Sequence, residues 1–180
     1  MSRKVLHPAP GMSPQIAFYF GAMEEVREQL RAAVHELSDE ALGRLAFSGA
    51  HSIGALALHI GEAEWWWMHC VISGHKLTAE DKVAAYWDVL KDPEGFGSKR
   101  YSAEFCLREI DRIRSQTRNI VSSFGDIDLE RIFSFERGGT IHEYSLRWIL
   151  HHLIDHEAQH KGQILMLRRL LGMDNIKLID

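Results

Sequence analysis

Apolar residues recur every three or four positions along four long stretches of the chain, and clusters of Gly, Pro, Ser and Asp separate them. The first stretch runs roughly from Pro14 to Leu37, with Phe20, Met23, Val26, Leu30, Val34 and Leu37 on one face. Ser38 is then the expected N-cap of a short helical turn. The second stretch runs from about His51 to Ile72; Ser48 or Ser52 suits its start and Gly74 its end. The third spans about Ser102 to Phe124, with Phe105, Ile110, Ile113, Ile120 and Val121 as its core side. The fourth is predicted from Thr140 to Leu171, because Thr140 and Glu143 have the spacing of a capping box and Gly172 supplies a stop.

Between the second and third helices lies an irregular stretch, residues 74–101, containing KDPEGFGSKR. Loops of that length are either functional or poorly ordered. The run DIDLERIFSFERGG reads as a loop with a short extended piece at Ile132 to Phe135. Four long helices with little strand signal predict an all-α protein, a four-helix bundle with a long crossover between helices two and three. A length of 180 residues suits one domain over 1–180.

Composition narrows the function classes. A net charge of −4, with no basic block, argues against a general nucleic-acid binder, since phosphate binding draws on clustered Lys and Arg. The prolines at 8, 10 and 14 interrupt any apolar leader, and no apolar run is long enough for a membrane span. Two cysteines, Cys70 and Cys106, form no CxxC pair, so a cytoplasmic location is expected.

The chemistry sits in the histidines. HHLIDHEAQHKGQ, residues 151–163, places His152, His156 and His160 four apart on one predicted helix face, together with Ile149, Leu153, Ile164 and Leu167. An i,i+4 pair can aim two imidazoles at one metal ion. Three such histidines span about 12 Å along the axis, too far for both ends to reach one ion. His156 and His160 are therefore the candidate pair, and His152 is a supporting partner or pocket wall. His151, turned about 100° away, faces solvent. Glu157 is expected on the solvated side, paired with Lys161. A third ligand has to come from another helix. His59 qualifies, since its face neighbours Ala55, Leu56, Ala63 and Trp66 are apolar and the small residues around it leave space. Core-edge histidines with hydrogen-bond partners would show the same spacing, so a structural role stays open. Of the three tryptophans at 65–67, Trp66 shares the His59 face and is the candidate pocket wall. Glu62, one turn from His59, would be the general base if the reaction were hydrolysis, but no catalytic residue is assigned. Cys70 lies about 16 Å along the axis from His59 and is not expected as a ligand.

The HSIGALALHIGEAEWW segment, followed by a fourth helix carrying HLIDHEAQHKGQ, resembles the DinB-like (DinB/YfiT-like) superfamily of four-helix-bundle metalloproteins over about residues 15–172. Its relatives include bacillithiol and mycothiol S-transferases and mycothiol-dependent maleylpyruvate isomerase. The resemblance implies a metal triad at His59, His156 and His160. It also implies one divalent ion per chain (zinc or nickel first, then iron or manganese) and often a homodimer. Gly162 and Gln163 match the family's Gly-Gln, whereas Lys161 stands where an Arg is usual, so the charge is kept without the bidentate fork. The leading expectation is a transferase in which a low-molecular-weight thiol attacks an electrophile at the metal. A metal-dependent hydrolase and a non-catalytic metal- or ligand-binding module are the alternatives.

Overall fold

Four of the chain's helices begin where a serine hydroxyl accepts a hydrogen bond from a first-turn N–H. The structure, a computed structural model, describes residues 3–91 and 101–173. α1 (Pro14–Val34) opens on Pro14, whose missing N–H would be unpaired there anyway. α2 (Asp39–Gly43) is capped by Ser38. α3 (Ile53–Trp65) is capped by Ser52 and continues into a π-helical segment, Trp66–Ile72. α4 (Ala79–Ala84) carries a Thr78–Asp81 capping box inside the stretch expected to be irregular. The KDPEGFGSKR run of that stretch falls, after Lys91, outside the described residues. α5 (Ala103–Val121) is capped by Ser102, and α6 (Leu146–Leu170) by Ser145.

The fourth long helix thus starts six residues later than its sequence suggests. Thr140–Ser145 is instead a strand, β2, paired antiparallel with β1 (Ile132–Arg137). The extended piece expected at Ile132 to Phe135 is the start of that hairpin. Arg137 pairs with Thr140 across a two-residue turn, Gly138 at φ 60° and Gly139 at φ 76°. Two positive φ angles in succession make the tight turn that matches strand twist, and glycine adopts them without strain. Thr140 and Glu143 therefore form no capping box, and His142 lies in the sheet stacked on Phe135, not in a helix first turn. The protein is mostly helical, with this one small sheet among the described residues.

The long helices pack directly on one another: α1 against α5 and α6, and α3 against α5 and α6. Gly61 allows the α3–α5 approach, because a Cβ there would lie 3.0 Å from the Ile113 side chain. Two of the four apolar clusters among the described residues form most of the interior. One holds Phe20, Met23, Met68, Val121, Ile149 and Leu153. The other holds Leu30, Val34, Ile53, Ile60, Ile110 and Ile164.

A buried polar layer lies between them in every long helix. Arg27 (0% exposed) donates to Glu157 (2% exposed) from Nε at 2.6 Å and to Glu64 at 2.9 Å. Arg114 donates to Glu64 from Nε at 2.7 Å and to Glu157 at 2.7 Å. Arg27 also donates to the Ile110 carbonyl. Burial alone would push the Glu64 carboxyl up, but Arg114 and Arg27 outweigh it and hold it down to about 2. Glu157 is therefore not on the solvated face that its neighbour Lys161 suggested; Lys161 bonds Gln29 instead. No helix among the described residues is long and apolar enough to cross a membrane.

Candidate metal centre and cavity

One residue before Glu157, the same turn of α6 carries His156 toward α3. The Nε2 atoms of His156 and His160 lie 3.1 Å apart. The His59 ring centroid is 5.2 Å from that of His156 and 5.0 Å from that of His160. One nitrogen from each of the three rings lies within 4.8 Å of the others, the only such group of three possible ligands among the described residues. These are the three residues singled out in the sequence, His156 and His160 by their i,i+4 spacing and His59 by its apolar helix face.

The nitrogens on the far side of two rings are held in place. His59 Nδ1 is 2.9 Å from Glu62 Oε2, and His160 Nδ1 is 2.8 Å from Gln163 Oε1. A carboxylate only accepts, so His59 carries its hydrogen on Nδ1 and turns the lone pair of Nε2 inward. The Gln163 carbonyl oxygen does the same for His160. Burial, then His160, His59 and His152, drive His156 down to about 3. Burial also lowers His160, against the pull of its bond to Gln163. His156 and His160 are thus neutral near pH 7, the form in which an imidazole binds metal.

The donor set fits a divalent ion. Two imidazole nitrogens 3.1 Å apart can share one proton between them, but that leaves the third ring's lone pair without a partner. A cation satisfies all three. Imidazole nitrogens are ligands for transition metals rather than for magnesium or calcium.

His59 also lines a cavity of about 520 Å³. Glu62, Ala63, Trp66 and Trp67 of the α3 continuation form one side. Trp87, Asp88 and Lys91 form another, and Phe135, Glu136 and Arg137 of the hairpin close a third. Trp66, expected as a pocket wall, is among the residues that line this cavity. Trp67 joins it, because i→i+5 hydrogen bonding widens the turn and reduces the divergence between successive side chains. Trp65 points elsewhere, stacked on His69.

His152 stacks on Trp148 at 4.8 Å, meets Trp67 edge-on, and lies beside His156. It belongs to an aromatic row running from the hairpin through Tyr144 and Trp148 to the triad. His151 is exposed, as expected. Neither cysteine joins the histidines. Cys70 packs near Trp65 and Ile113, and Cys106 is buried beside Ala57 and Leu58. Gln163, Trp87 and the hairpin wall are site residues that periodicity does not reveal. The Gly138-Gly139 pair was the available signal for the hairpin.

A family model described as mycothiol-S-transferase matches residues 19–172. No protein of curated function matches the chain.

Proposed function

The chain belongs to the mycothiol S-transferase family, and on that premise we propose that it is a metal-dependent thiol S-transferase. His59, His156 and His160 hold one divalent ion, and the adjoining cavity seats the reacting molecules. The reading rests on one observation: three imidazole nitrogens converge at the edge of an aromatic-walled cavity. The bound ion would supply Lewis acidity and favour the thiolate form of a thiol brought to it.

The chain's own residues do the rest. Glu62 and Gln163 fix the tautomers of His59 and His160. Trp66, Trp67 and Phe135 exclude water from one side of the cavity and offer flat apolar faces to an electrophile. The attacking sulfur comes from a small molecule, because the chain's own thiols are unsuited. Burial pushes Cys106 up to about 12 and raises Cys70 as well. Lys91 and Arg137 are the cations on the cavity wall, placed to meet acidic groups of a bound thiol or its partner. The four long helices form a four-helix bundle with the crossover between the second and third, in a single domain.

Elemental analysis of the purified protein tests the site. About one divalent ion per chain is expected, lost in His59→Ala, His156→Ala and His160→Ala and kept in His151→Ala. Full retention in the three triad variants rules the assignment out. Turnover of electrophiles only when a low-molecular-weight thiol is added supports the transferase. Turnover of esters or amides without thiol would replace it with a hydrolase. A metal-loaded protein inert to both panels would be a binding module.

A further inference from the structure

Glu62 has two oxygens and uses each for a different purpose. Oε2 accepts from His59 Nδ1 at 2.9 Å. Oε1 accepts from the backbone N–H of Asp88 at 2.9 Å. Glu62 is 7% exposed, so neither bond competes much with water. The segment it grips is unusual. Tyr86 at φ 56° and Asp88 at φ 63° are the only non-glycine residues with positive φ among the described residues. Such a backbone persists only where its surroundings over-determine it, and it clusters at functional sites. Asp88 is held again through its carboxylate, 2.9 Å from Lys91 Nζ. Trp87, Asp88 and Lys91 face the same cavity as His59.

We propose that Glu62 is a positioning residue that couples the cavity wall at residues 86–91 to the His59 imidazole. The proposal rests on the reading of His59 as a metal ligand. One carboxylate bridges the two, so the wall and the ligand hold each other in place. A molecule pressing on Trp87 or Lys91 therefore acts on His59 through a single side chain, and metal held by His59 stiffens the wall in return. Coupling between binding events is reciprocal, so either end can be read from the other. Glutamine cannot replace this bridge. It has one acceptor oxygen and an NH2 that donates, so with His59 retained it turns a donor toward the Asp88 N–H.

Two measurements on the full chain test the coupling, with zinc alone as the probe. The first is hydrogen exchange at the Asp88 amide, read by NMR with and without zinc. Zinc is expected to slow that exchange in the unmodified protein, and this readout needs no variant. The second is zinc affinity by competition with a chromophoric chelator. Glu62→Gln is expected to weaken zinc by roughly 10–100-fold, the usual cost of losing an outer partner of a ligating histidine. In the same variant, Asp88 exchange should become fast and indifferent to zinc. Asp88 exchange that ignores zinc in the unmodified protein overturns the proposal, as does wild-type zinc affinity in Glu62→Gln. His59→Ala separates the two levels of inference. Zinc affinity lost in His59→Ala but unchanged in Glu62→Gln ends the coupling and leaves the ligand assignment standing. Unchanged affinity in His59→Ala ends both.

Discussion

His156 and Glu157 are neighbours in the chain, yet they belong to polar clusters of opposite character. Glu157 enters a layer in which two guanidinium groups and two carboxylates answer one another, with every long helix contributing one. His156 enters a group of three like side chains whose inward nitrogens have only each other. The first cluster is complete within the chain and is sealed from water. The second is half-buried, and under the proposed function a cation would complete it. Polar groups that satisfy one another inside a fold specify how the helices fit. Polar groups that converge without such partners mark a candidate binding site.

The largest effect should come from breaking the complete cluster. Arg114→Ala leaves Glu64 and Glu157 buried with half their partners, at a cost of about 3–5 kcal/mol in chemical denaturation. A loss under about 1 kcal/mol would mean that the layer is not the registry device described. Next in size is zinc. At a hundredfold excess over Kd it should stabilise the unmodified protein by about 2.7 kcal/mol. In His156→Gln that gain should vanish, whereas Glu157→Gln should lower stability and keep most of it. Equal zinc responses in these two adjacent variants would erase the distinction between the clusters.

Acid should separate them by pH. Glu64 is held from its ordinary 4.5 down to about 2, so the unfolded chain binds its proton first. Its contribution is fully present above pH 4.5 and is lost as pH falls toward 2. His156 is driven from 6.5 down to about 3, so metal-free protein should begin losing stability below pH 6.5. The His156→Gln variant should lose the upper part of the acid profile and retain the lower part, followed by circular dichroism against pH. The smallest effect is the control. His151→Ala, at an exposed position, should change stability by under about 0.5 kcal/mol and leave metal content intact.

The two clusters also differed in how legible they were. His156 and His160 stand out because their i,i+4 spacing lies among apolar residues, and His59 because its helix face is apolar on every side. Arg27, Glu64, Arg114 and Glu157 lie on four helices and have no local spacing in common. Each looks like an ordinary surface charge until its partners arrive from more than thirty residues away. Local chemistry misled at Thr140, where Thr and Glu at capping-box spacing lost to strand pairing set by Gly138-Gly139. The π-helical turn that brings Trp67 beside Trp66 leaves no periodic trace in a run of three identical residues.

The hairpin has a consequence for how this protein can change over generations. Its tip is two glycines with open space around them, and it presents Phe135, Glu136 and Arg137 to the cavity. The glycine tip can be lengthened without meeting another part of the fold, whereas Phe135 is tied to Trp66 and Trp67 by edge-on ring contacts. Under the proposed function, the ribbon and the histidines are separate parts of the chain that meet at one cavity. A lineage could then vary the tip and the cavity-facing Glu136 and Arg137 while His59, His156 and His160 descend unaltered.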